Sequence, residues 1–197
     1  MKVSLVMGLF CWPLAAQEGF LIPASFTASV GERISVRLEL ANANIADAGI
    51  YTSRAAYNLV NLRKADDAVV LDGSLKIPGT AVLAITTKPQ IINRQRHTLI
   101  AKALVDVDCA DANRYRSLAL ALELVLADPT HIMVLAGGLP VSGIEAKPLG
   151  IAGQDGRVTA TFKPGIHKVS ATRKVPSTDA KLADWDVITS TLTFEIR

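Results

Sequence analysis

The sequence predicts an all-β protein of two β-sandwich-like modules with one short helix. Three observations predict it. Apolar residues alternate with polar ones in several short runs, as in strands with one buried face. Gly, Pro and Asp-Gly turn signals recur every ten residues or so, the punctuation of a sandwich. Half of the residues are apolar, enough to fill a core and to argue against disorder.

The elements follow in order. Gly31-Glu32 is a turn, and the strand after it places Ile34, Val36, Leu38 and Leu40 on one side. Ala81 to Thr87 is an apolar run entered through Pro78-Gly79 and ended by Pro89. The segment from Asn93 to Val105 reads as the one helix, with Asn93 as its cap and Leu99, Ala103 and Leu104 as its stripe; a strand is the other reading there. Leu118, Leu120, Leu122, Leu124 and Leu126 alternate as a long strand. His131 to Ala136 is another, closed by Gly137-Gly138. Gln154-Asp-Gly-Arg157 reads as a hairpin turn, because glycine accepts the positive φ it needs. Val158, Ala160 and Phe162 alternate after it, Pro164-Gly165 turns again, and His167 to Arg173 is a strand. Leu192, Phe194 and Ile196 alternate in a final strand. The polar stretch Asp106 to Arg116 separates an N-terminal β module, 17–110, from a C-terminal one, 117–197.

Met1 to Ala16 has the layout of a secretory signal peptide. Lys2 precedes the apolar run Val3 to Leu14, and the small pair Ala15-Ala16 leads into Gln17-Glu18. The run is shorter than the ~20 apolar residues that span a bilayer. Residues 1–16 are therefore expected to be removed on export to the periplasm or beyond, with no anchor left. Cleavage after Ala16 places Leu14 three residues back from the cut. Loss of Lys2 reduces the 21 basic residues to 20, against 18 acidic ones. Such a balance does not point to a nucleic-acid binder, which would show a strong basic excess on one face. Cys11 leaves with the leader, and Phe10 before it rules out a lipoprotein cysteine. Cys109 alone cannot close an internal disulfide and reads as a half-buried bystander, with a reactive or intermolecular thiol as the other reading.

No catalytic constellation assembles by spacing. There is no Gly-x-Ser-x-Gly elbow and no phosphate-cradling loop, so an enzyme is not expected. His97, His131 and His167 are the candidate metal ligands. None has a His, Cys or carboxylate at i+2 or i+4 to make a local clip. Each reads as a surface or packing residue, with a site assembled from distant parts of the chain as the sharper alternative. Asp106, Asp108 and Asp111 read as a solvated linker rather than a cation loop. Arg94, Arg96, His97 and Lys102 read as a solvated basic face, with contact to an acidic partner as the alternative, and Trp185 as the plug at one end of a sandwich core rather than a ligand-stacking ring.

Ordered motifs along the chain carry a resemblance. Ala16-Gln-Glu-Gly-Phe-Leu-Ile-Pro23 is followed by Phe26, Val30-Gly-Glu32 and a strand. Then come Pro78-Gly-Thr80, Ala101-Lys-Ala-Leu104, Leu122-Glu-Leu-Val125 and Gly138-Leu-Pro-Val-Ser-Gly143. Asp184-Trp185 and Ser190-Thr-Leu-Thr-Phe-Glu195 close the series. Together they resemble an exported bacterial domain family of unknown function linked to nickel and cobalt uptake. The resemblance implies a periplasmic protein with an immunoglobulin-like or prealbumin-like C-terminal module, working beside a membrane metal transporter or another envelope protein. It implies Ni²⁺ or Co²⁺ as the ligand. It also directs attention to Gln17, Glu18, Arg173, Asp184 and Trp185 as binding positions. The chain departs from the family at telling places: Gln17 stands for the His at the mature start, Phe20 for a Trp, and Arg173 for a strand His. Imidazole suits Ni²⁺, whereas an amide binds it poorly and a guanidinium not at all. The scaffold is kept while the family's ligands are replaced. A structural or protein-interaction module of the cell envelope is the reading from a different class.

Overall fold

The computed structural model describes residues 18–40, 43–52, 56–57, 61–65, 68–74, 77–108 and 117–197. The expected leader, Gln17, Cys11, Cys109 and Asp111 lie outside them. The N-terminal half contains β1 (Leu21–Pro23), β2 (Thr27–Ala28), β3 (Arg33–Leu38), β4 (Ile45–Tyr51), β5 (Ala56–Tyr57), β6 (Asn61–Ala65), β7 (Ala68–Ser74), β8 (Gly79–Thr87), β9 (Gln90–Ile92) and β10 (Gln95–Val107). The rest of the chain forms β11 (Glu123–Asp128), β12 (His131–Ala136), β13 (Leu139–Pro140), β14 (Glu145–Lys147), β15 (Gly150–Ile151), β16 (Arg157–Thr159), β17 (Gly165–Pro176) and β18 (Trp185–Ile196). The fold is all-β, and the described residues contain no helix.

Three sheets are stacked. The middle one has ten strands in the order β15-β14-β17-β18-β10-β8-β4-β5, with β2 and β9 attached to β10. Sheet β1-β3-β7-β6 covers one of its faces, and β11-β12-β13 with β16 covers the other. Alternation along the central strands divides the core in two. Ala81, Leu83 and Ile85 of β8 pack with Leu99, Ala101, Ala103, Val105 and Val107 of β10 against Ile34, Val36 and Leu38. Val82 and Leu104 point the other way, joining Val169, Leu192 and Phe194 against Leu124, Leu126, Ile132 and Val134. Two cores thus share one sheet. That sheet also crosses the boundary drawn at Asp106 to Arg116, since β10 and β18 pair in parallel from Gln95↔Trp185 to Ala103↔Thr193.

The expected helix is a correction. Its residues form β9, a turn and β10. Asn93 and Arg94 both have positive φ, 50° and 58°, between the paired residues Ile92 and Gln95. That is the two-residue hairpin turn whose twist matches the strands, and asparagine tolerates its first position. The helical spacing of Leu99, Ala103 and Leu104 was coincidental: Leu99 to Val107 are all buried because both faces of β10 are covered. A strand buried on both sides loses the period-two signature.

Smaller corrections follow the same logic. The long leucine strand begins only at Glu123, and Ala119 has φ 53° in the irregular stretch before it. Gly156 has φ +73° as a turn requires, but the strands around it diverge to different sheets: β15 pairs with β14, and β16 with β12. Trp185 opens β18 instead of plugging a core, and is 40% exposed.

Candidate functional site

The face of β17, β18 and β10 that looks toward the first core carries a run of hydroxyls. Strand register sets them in rows: Lys168, Thr193 and Ala103; Ser170, Thr191 and Ala101; Thr172, Thr189 and Leu99; Lys174, Val187 and His97; Pro176, Trp185 and Gln95. The chain from Glu18 to Phe20 lies across the first two rows. Ser170 Oγ donates to Glu18 Oε1 at 2.9 Å, and Thr191 Oγ1 donates to the Gly19 carbonyl at 2.7 Å. A Cβ on Gly19 would stand 2.8 Å from Leu99 Cδ2 and 3.0 Å from Leu40 Cβ, so a side chain here would have to push both leucines aside. Lys168 sits over the Phe20 ring at 5.4 Å and pairs with Glu39 at 2.8 Å. Glu18, Glu145, Lys147, Ser170 and Thr172 line a pocket of about 110 Å³ over β14 and β17.

Farther along the same face the hydroxyls give way to Lys174, His97 and Trp185. The Lys174 ammonium lies 4.8 Å from the indole centroid. Burial first, and then the Lys174 charge, hold the His97 imidazole below its ordinary pKa. A lone neutral imidazole facing an ammonium is a poor place for a metal cation. Two ion pairs flank Trp185. Arg94 grips Asp184 through Nε at 2.9 Å and Nη2 at 2.6 Å, and Arg96 grips Asp186 at 2.8 and 2.6 Å. Arg94 and Arg96 hold the two carboxyls below their usual range chiefly by these hydrogen bonds. The expected solvated basic face is thereby corrected, and Lys102 corrects it further. Lys102 lies on the opposite face of β10, 1% exposed, with Nζ 2.6 Å from Glu123 Oε1. The Glu123 side chain is 0% exposed and also accepts from Ser117 Oγ at 2.8 Å and from the Leu118 backbone N–H. The pair ties the central sheet to β11.

The remaining candidates lie apart. His131 opens β12, with Nδ1 2.8 Å from Asp128 Oδ2 and 3.0 Å from the Thr130 hydroxyl. His167 on β17 stacks on Phe194 at 5.3 Å, meets the edge of Phe162 at 5.0 Å, and donates from Nε2 to the Lys163 carbonyl at 2.7 Å. Arg173 shares its face with Val169 and Ala171, and so lies on the opposite side of the sheet from Glu18. Trp185 sits at the far end of the Glu18 face, and Asp184, just before β18, is held by Arg94. Among the described residues no three His, Cys, Asp or Glu side chains come together as a metal site. Of the acidic stretch, Asp106 is likewise a correction, while Asp108 is exposed as a solvated linker would be. Asp106 is buried at the end of β10 and accepts from Thr80 Oγ1 at 3.0 Å, while Asp108 accepts from the Val30 N–H at 2.8 Å.

Sequence reasoning missed Ser170, Thr172, Lys174 and Glu123. Only strand register reveals the first three as neighbours of Glu18 and His97. An acid inside an apolar strand, Glu123, was the available sign of the fourth.

Asp128 supplies a local prediction. The Thr130 hydroxyl first, then the Thr130 N–H, then His131 draw its pKa down to about 2. Thr130→Val keeps the N–H and deletes the hydroxyl. The Asp128 carboxyl should then titrate nearer the ordinary range when followed by NMR. The sign for stability follows from linkage: a depressed carboxyl stabilises above its unfolded pKa, and that contribution is lost as pH falls through about 2. An unchanged midpoint in the variant removes the hydroxyl as the cause.

No protein-family model matches the chain, and no curated protein matches its sequence.

Proposed function

We propose that this chain is an exported, non-catalytic accessory protein of the cell envelope, related to nickel and cobalt uptake components, that contacts a partner protein and holds no metal of its own. Its localisation on this reading is periplasmic, and its partner is a membrane metal transporter or another envelope protein. The observation that carries the reading is the placement of the three imidazoles. His97, His131 and His167 sit on β10, β12 and β17, and each already faces a different neighbour: an ammonium, a carboxylate and a pair of aromatic rings. Metal ligation asks for convergent donors, with imidazole and carboxylate aimed at one point. These aim at three.

Support for a contacting role comes from the end of the central sheet, where Ile91, Leu182 and Trp185 are 51%, 54% and 40% exposed. The test is calorimetric titration of the exported chain with Ni²⁺ and Co²⁺ at neutral pH. No micromolar binding is expected. Binding in that range that disappears in His97→Ala, His131→Ala or His167→Ala overturns the reading.

A further inference from the structure

We infer that the outer edge of β17, from Arg173 to Pro176, takes an extended acidic segment of a partner protein as an added strand. The inference rests on the partner-contact reading above and deepens it by naming the edge and the chemistry that fits it.

One side of β17 is paired along its whole length with β18, from Gly165↔Ile196 to Pro176↔Trp185. On its other side, among the described residues, β17 pairs with β14 at Ser170 and Ala171 and with nothing beyond. Alternate backbone groups from Arg173 to Pro176 therefore open outward. Nothing described covers them: Thr172, Lys174 and Pro176 are exposed, and Arg173 and Val175 half-buried. An edge of this kind is a template for another strand, and main-chain hydrogen bonds then supply the affinity.

Charge selects the occupant. Lys174 shares the face of His97 and Trp185, its ammonium 4.8 Å from the indole centroid, whereas Arg173 shares the opposite face with Val169 and Ala171. Neither cation has a carboxylate partner among the described residues. The nearby carboxylates of Asp184 and Asp186 are already taken by Arg94 and Arg96. A second copy of this chain is a poor occupant. Two-fold antiparallel pairing of the edge with itself sets Arg173 and Lys174 opposite or diagonal to the same cations, and like charges across a ladder destabilise it. An acidic strand reverses the sign of those contacts. Because Arg173 and Lys174 are consecutive and point to opposite faces, the matching segment carries two consecutive acidic residues, one for each face.

The probe is the fluorescein-labelled hexapeptide Thr-Val-Glu-Glu-Val-Thr, titrated with the full chain and followed by anisotropy. It should bind, and the same peptide with Lys-Lys in place of Glu-Glu should not. Arg173→Glu combined with Lys174→Glu, at a surface where the far-ultraviolet circular dichroism should not change, should weaken the acidic peptide roughly tenfold through lost attractions and new repulsions. The same variant should now bind the Lys-Lys peptide. Two N-methylated Glu-Glu peptides, each blocking alternate amides, separate strand addition from charge attraction: one should lose binding and the other keep it. No binding of the Glu-Glu peptide, equal binding of the two charge types, or any other pattern with the methylated pair overturns the inference and leaves the partner-contact reading standing. A dimer in sedimentation that the double variant dissolves gives the edge to a second copy and overturns the acidic partner. The metal-free reading falls by a different measurement, the titration with Ni²⁺ and Co²⁺ above.

Discussion

Lys102→Ala is expected to destabilise the protein by about 3–5 kcal/mol, the cost of removing one partner from a buried ion pair. The two side chains are 1% and 0% exposed, and their charged atoms are 2.6 Å apart. Burial outweighs the attraction of Glu123 and pushes the Lys102 ammonium down from its ordinary pKa, which marks how little solvent reaches it. Truncating the lysine leaves the Glu123 carboxylate with Ser117 and Leu118 as donors but no counter-charge. Glu123→Ala should cost as much, because the ammonium is then stranded beneath β11. The double variant Lys102→Met, Glu123→Leu should recover most of either loss, since well-packed apolar residues often match or exceed a buried pair. Urea unfolding with unchanged slope measures all three. A loss below about 1 kcal/mol in both single variants would mean a pair as weak as a solvated surface bridge.

This pair also shows what a sequence hides. Lys102 stands in Ala101-Lys-Ala-Leu104 among small and apolar residues, and by type alone a lysine reads as solvent-facing. Its partner is 21 positions away on a different sheet, so nothing local announces the contact. Strands with one open face were legible: the alternation in β3 is visible, and β12 runs over the predicted His131 to Ala136. β10 was not legible, because covering both faces removed the alternation and left a helix-like stripe. The turn ahead of it uses Asn93-Arg94 instead of a glycine pair, so the strongest hairpin signal was missing. The candidate site was less legible still. Glu18 and Trp185 do share a face, but their surroundings come from the β17–β18 register, which alternation within either strand cannot specify. Arg173 shows the cost of reading position without parity: one residue along β17 moves a side chain to the other face.

Phe194→Ala is expected to cost about 3–5 kcal/mol and to do so in a single transition. Phe194 is 1% exposed in the second core, with Phe162 perpendicular to it at 5.0 Å and His167 stacked at 5.3 Å. The expected loss combines a cavity on the inner face of β18 with the loss of two ring contacts, each aromatic pair contributing about 0.5–1.5 kcal/mol beyond area. Phe194→Leu should cost less by keeping most of the volume. His167→Ala combined with Phe194→Ala should fall short of the summed single effects, because the rings share one contact. The shape of the transition carries the architectural content. Residues 17–110 and 117–197 would unfold separately if each were an independent sandwich, and Phe194→Ala would then melt the second while leaving the first. The parallel pairing from Gln95↔Trp185 to Ala103↔Thr193 argues otherwise. Unfolding the second core strips β18 from β10, exposing one edge of the strand that supplies Leu99, Ala101, Ala103 and Val105 to the first. Fluorescence of Trp185 and far-ultraviolet circular dichroism should therefore shift together in urea. Two separated transitions in the variant would show that the shared sheet does not couple the cores.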